Sequence, residues 1–114
     1  MMAMKKHNDP LLEQMAERME ALGNPLRLAI FRTLIKAGND GANVGAIQGV
    51  IDIPASTLTH HIQKLVKAGL ISQHRHSREL ICRAEFEIME ATIDYLKDEC
   101  CQGLGLLQRK VDRL

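Results

Sequence analysis

The stretch PASTLTHHIQKLVKAGLI, residues 54–71, gathers side chains whose types and spacing could do chemistry. Stepping about 100° per residue from Leu58 brings Ile62 and Leu65 within about 40° of it on one helical face. Ser56, Thr59, His60, Gln63, Lys64 and Lys67 then fall on the opposite side, and each can hydrogen-bond or carry positive charge. Residues 53–78 contain no Asp or Glu, while Lys64, Lys67, Arg75 and Arg78 lie there with His60, His61, His74 and His76. Such a face suits the major groove of DNA. Its N-terminal residues would meet base edges and its lysines would meet phosphate, where an acid would be repelled. Ser56 and Thr57 also suit capping of a first turn. His61, on the flank of the apolar stripe, reads as a packed structural histidine.

A second constellation is sulfur. DECCQG sets Cys100 beside Cys101, and Cys82 is the third thiol. Adjacent Cα atoms are ~3.8 Å apart, below the usual disulfide range of about 4.4–6.8 Å, so an internal disulfide is a poor use of this pair. Asp98, Glu99 and a helix C-terminus would oppose thiolate formation. A soft, thiol-seeking ion that bonds sulfur directly displaces those protons and fits better. His74 and His76 share a strand face, but two ligands alone make a poor metal site. No nucleophile elbow or phosphate-cradling glycine loop accompanies any of these groups, which argues against an enzyme.

These residues need elements to hold them. Asp9-Pro10 and Asn24-Pro25 are both cap-then-proline helix starts, ended by Gly23 and Gly38. The second helix, apolar on nearly every side, should be central. Residues 39–43 read as a loop, with Asn43 capping a short third helix over 44–50. Pro54 opens the fourth helix as its first residue, and Gly69 stops it. The period then changes to two strands, 70–74 and 79–84, around a polar tip. A last helix is expected from about Glu85 to Cys100, with Phe86, Met89, Ile93 and Leu96 on one face.

The chain is 114 residues, 46% apolar and only 3% aromatic, with net charge +1. That length supports one domain, and that composition favours packed helices. The expected organisation is a flexible segment 1–9, a domain 10–101 and a tail 102–114. An odd number of cysteines, three, argues against a disulfide framework. Without a secretory signal or a membrane-length apolar run, a cytoplasmic protein is expected. An acidic stretch, residues 85–99, follows the basic one, so a nucleic-acid face should lie apart from an acidic face.

ALGNPLRLAIFRTLIKAG, then PASTLTHHIQKLVKAGLI, then a basic hairpin, resembles the ArsR/SmtB family of winged helix-turn-helix repressors. The resemblance covers most of the chain. It implies a mainly α fold with a small β-hairpin wing, and a homodimer through the first and last helices. It implies binding to an inverted-repeat operator in double-stranded DNA, with an inducer that releases it. By position, Ser56, Thr57, Thr59 and His60 match the family's DNA-reading stretch, with Gln63 and Lys64 on the same face and Arg75 and Arg78 on the wing. The third-helix Cys-x-Cys and the last-helix His ligands of metal-sensing members are absent here. The terminal Cys-Cys-x-Gly resembles the arsenic-responsive branch, which implies arsenite or antimonite at Cys100 and Cys101, with no resident cofactor. That branch has a further cysteine in the tail. Here Cys82, the other subunit or a small cellular thiol would have to supply a third sulfur. A regulator of this kind without a metal ligand, controlled by redox state or a protein partner, is the alternative.

Overall fold

The computed structural model describes residues 9–104. Helix α1 (Pro10–Leu22) begins where Asp9 accepts hydrogen bonds from the backbone N–H groups of Leu11 and Leu12. Helix α2 (Pro25–Ala37) begins the same way, with Asn24 Oδ1 accepting from Leu26 at 2.9 Å and Arg27 at 3.1 Å. In both, proline fills the first position, where its missing N–H costs nothing. A 3₁₀ turn (Gly38–Asp40) and a two-residue strand β1 (Ala42–Asn43) follow. Asn43 caps α3 (Val44–Val50) by accepting from Ala46 at 2.7 Å. Helix α4 (Ala55–Lys67), strands β2 (Ile71–His76) and β3 (Glu79–Ala84), and helix α5 (Phe86–Lys97) complete the order. The expected mainly α fold with a hairpin wing is the observed one.

The end of α4 shows how sequence sets geometry. Gly69, at φ 81°, donates to Val66 O, and Leu70 N donates to Leu65 O at 3.0 Å. This paired cap lets only a residue without Cβ reverse the chain cheaply. It delivers Leu70 and Ile71 straight into the core, where both are buried. That core joins Ile30, Phe31 and Leu34 of α2, Ile47 of α3, and Leu58, Ile62 and Leu65 of α4 to Cys82 and Ala84 of β3. Burying each large aliphatic side chain contributes about 1.5–3 kcal/mol.

Four expectations need correction. Residues 42–43 are a strand rather than loop, because Ala42 and Asn43 pair with Cys82 and Ile81 and make the sheet three-stranded, in the order β1-β3-β2. Gly41, at φ 68°, permits that approach, since a Cβ there would overlap the Cys82 carbonyl oxygen. Pro54 caps α4 rather than opening it, with extended ψ 146° and its carbonyl accepting from Leu58 N. The first wing strand starts one residue later than expected and runs to His76, leaving a two-residue turn, Ser77-Arg78. Ser77 takes φ 60° and Arg78 does not, the pattern of a II′ hairpin turn without its usual glycine. Finally, α5 ends at Lys97, not Cys100. Two acids at its C-terminal end oppose the helix dipole, and the chain leaves through Glu99 and Cys101 at positive φ.

The dimer expected through the first and last helices would use the apolar side chains Leu11, Met15, Met19, Met89, Ile93 and Leu96, and these are only partly outward. Leu11, Ile93 and Leu96 are exposed, the last at 64%, and Met19 and Met89 are half-buried. Met15 is buried at the α1–α5 crossing, where Arg18 Nη1 lies 3.4 Å from its Sδ and 3.3 Å from Thr92 Oγ1. Of the expected terminal segments, residues 1–8 and 105–114 lie outside the described residues.

Candidate nucleic-acid interface

Helix α4 buries Leu58, Ile62 and Leu65 and exposes Ser56, Thr59, His60, Gln63, Lys64 and Lys67, as its 3.6-residue period dictates. The connection from α3 is short. Ile53 N donates to Ile51 O, and Gln48 Nε2 donates to Ile53 O at 3.1 Å, so the two helices are held at a tight turn. No side chain caps the α4 N-terminus. The Ser56 and Thr57 hydroxyls are therefore not used for capping and stay available to a ligand. Thr57 is half-buried and Ser56 exposed.

Beside α4 stands the wing, with Arg75 and Arg78 exposed at its tip. Gln63 Nε2 donates to Gln73 Oε1 of β2 at 3.2 Å, joining helix and wing directly. The wing root is pinned to α5, because Ser72 Oγ donates to Glu85 and lies 3.1 Å from His74 Nε2. One continuous surface thus carries hydroxyl, amide, imidazole and cationic groups.

His61 sits at the edge of this surface, with Nδ1 3.2 Å from Arg27 Nη1. Burial lowers its pKa first, and the nearby Arg27, His60 and Lys64 charges lower it further. A guanidinium can only donate, so in this contact Nδ1 accepts from Arg27 and the ring is the neutral form. The lysines have company that sequence reading missed. Glu17 and Glu20 of α1 line a cleft of about 340 Å³ together with Arg27, Lys64 and Lys67. The face is free of acids along the chain but not in space.

The thiols are divided. Cys82 is fully buried in the central strand, where burial raises its pKa and a hydrogen bond from Gln73 partly offsets that. Cys100 and Cys101 are exposed beyond α5, with their sulfurs 3.2 Å apart. The hydrogen bond with Cys101, then slight desolvation, raises the Cys100 pKa. Among the described residues no three His, Cys, Asp or Glu side chains gather as a metal-holding group. Cys82 could join the pair only by leaving the core. Two sulfurs this close do suit chelation of one soft ion.

Arg27, Gln73 and Arg18 make contacts around this surface and the helix crossing that sequence reading passed over. Only the strand register, which sets Gln73 opposite Cys82, and the helix crossings reveal them.

Residues 22–74 match a family described as a helix-turn-helix domain. The chain is 28% identical over 89 residues to the HTH-type transcriptional regulator YgaV of Escherichia coli (strain K12), a match spanning 78% of this chain and 88% of that protein. Its fold is similar to a crystallised ArsR family transcriptional regulator, with TM-score 0.65, 28% identity, and 76% of this chain and 87% of that one covered. It is also similar to a homodimeric winged helix-turn-helix DNA-binding domain from a possible ArsR-family regulator of Mycobacterium bovis. There the TM-score is 0.63 and the identity 27%, over 78% and 82% of the two chains. Enzymes are not what this fold and these relatives describe.

Proposed function

We propose that this chain is a winged helix-turn-helix transcriptional regulator of the ArsR family, a repressor that binds an inverted-repeat operator as a homodimer; the helix-turn-helix match over residues 22–74 and the similar regulators support this reading. Helix α4 enters the major groove, with Ser56, Thr57, Thr59, His60 and Gln63 toward base edges and Lys64 toward phosphate, while Arg75 and Arg78 reach the flanking backbone. The observation that carries this reading is the unbroken polar and basic surface from α4 to the wing, with the α4 N-terminus left uncapped by side chains. Two-fold symmetry fits the exposed Ile93 and Leu96, which line an apolar cleft of about 550 Å³ with Leu22, Leu28 and Met89. Exposed aliphatic side chains at that cleft suit burial against a second copy, and a similar domain is homodimeric. Operator occupancy then blocks transcription by exclusion.

The inducer is a thiol-seeking ion, arsenite or antimonite first, taken by Cys100 and Cys101. Their 3.2 Å sulfur separation and exposure support the reading, and the third sulfur comes from the other subunit or a small thiol, since Cys82 is enclosed. Ligation at the end of α5 tilts the recognition helices through the dimer interface, and a coupling of about 1–3 kcal/mol suffices for release. The test is the Cys100→Ser/Cys101→Ser double variant, which should hold operator DNA normally yet ignore arsenite. Release that persists in the variant, or a wild type that never responds, removes the inducer assignment while leaving DNA binding intact.

A further inference from the structure

Resting on the reading of α4 as the helix that enters the major groove, the geometry points to Gln73 as a positioning residue for base readout: it holds the Gln63 carboxamide to read an adenine, and the Cys82 thiol anchors Gln73 in turn. Three side chains form one line from solvent to core. Gln63 on α4 is exposed, Gln73 on β2 is half-buried and Cys82 on β3 is fully buried. Gln63 Nε2 donates to Gln73 Oε1 at 3.2 Å, and Gln73 Nε2 donates to Cys82 Sγ at 3.5 Å. Gln73 and Cys82 are directly opposed across the antiparallel pair, so the anchor is built into the sheet register.

A carboxamide has two N–H donors and one carbonyl acceptor. Gln63 commits one N–H to Gln73; with the N–H anti to its carbonyl committed in this way, the other N–H and Oε1 stand side by side on one amide edge. Adenine offers the complementary pair in the major groove, an N7 acceptor and an N6 donor. Guanine offers two acceptors, N7 and O6, and would leave Oε1 facing another oxygen. An unrestrained glutamine could turn over to suit either purine. Held by Gln73, it is ordered before DNA arrives, and the ordering cost falls on folding rather than on binding. The thiol packs in a core position, so the residue that fixes specificity is itself fixed by the fold.

Base preferences are read by selecting sites from randomised duplexes with the full-length protein and its Gln63→Ala, Gln73→Met and Gln73→Glu variants. Wild type should select adenine over guanine at one symmetric position per half-site. Gln73→Met keeps the stem against Cys82 but cannot accept a hydrogen bond, and it should lose that preference by about tenfold, as Gln63→Ala does. Its melting temperature and salt dependence should match wild type. Gln73→Glu still accepts from Gln63 and should keep the adenine preference while binding all sequences more weakly. Retention of the preference by Gln73→Met, or by Gln63→Ala, overturns the proposal even where DNA binding is intact. A wild type that binds no duplex overturns instead the reading of α4 on which it rests.

Discussion

Arg27 Nη1 lies 3.2 Å from His61 Nδ1, while Nε of the same guanidinium donates to the Ala21 carbonyl at 2.6 Å. One side chain at the start of α2 thus ties the end of α1 to the flank of α4. The bond to His61 requires a neutral ring, because a protonated imidazole has no acceptor nitrogen. The lowered His61 pKa agrees with this.

The sign of the pH dependence follows. A histidine whose folded pKa lies below its unfolded value of about 6.5 binds protons more readily when unfolded. Its contribution to stability is complete above that value and is lost as pH falls from it through the folded pKa. NMR titration should give a His61 midpoint below that of an ordinary histidine. Arg27→Gln should move the midpoint upward. An unmoved midpoint would mean that burial and the His60 and Lys64 charges set it without Arg27.

The Lys64 surroundings predict an asymmetric charge response. Lys64→Ala should weaken binding to every sequence and reduce the salt slope by roughly one phosphate contact. Glu17→Gln and Glu20→Gln remove the carboxylates that share its cleft, and each should strengthen binding at low salt. Thr59 or His60 variants should instead change which bases are preferred. Binding measured from low to moderate salt separates these outcomes.

Dimerisation should depend on the end of α5. Ile93 is 45% exposed and Leu96 is 64% exposed, so a charge at either should leave the protomer folded but unpaired. Sedimentation at micromolar concentration should give twice the chain mass for wild type and the single mass for Ile93→Glu or Leu96→Glu. A monomeric wild type would contradict the two-fold operator.

Arg18 is a buried cation, 6% exposed, whose Nε has no hydrogen-bond partner. A buried charge without an acidic partner pays a desolvation cost that an apolar side chain of similar length avoids. Arg18→Met should therefore melt at or above wild type. Arg18→Ala, which removes packing as well, should melt lower. Arg18→Met melting clearly below wild type would show that the guanidinium itself stabilises the α1–α5 crossing.

The sequence determined what short-range physics can determine. Asp9, Asn24 and Asn43 start helices because their side chains satisfy N–H groups two or three residues on. Gly69 ends α4 because only a residue without Cβ turns left cheaply. The period of Leu58, Ile62 and Leu65 fixed which face of α4 meets water. Tertiary structure decided whatever depends on partners distant along the chain. Register set Gln73 against Cys82 and brought β1 onto β3. Helix crossing carried Glu17 and Glu20 to the lysines, Arg27 to His61, and Arg18 to Thr92. It also enclosed Cys82, away from the solvent where Cys100 and Cys101 lie. Periodicity states which side of an element faces inward, but the neighbour it meets there is fixed only when the elements pack together.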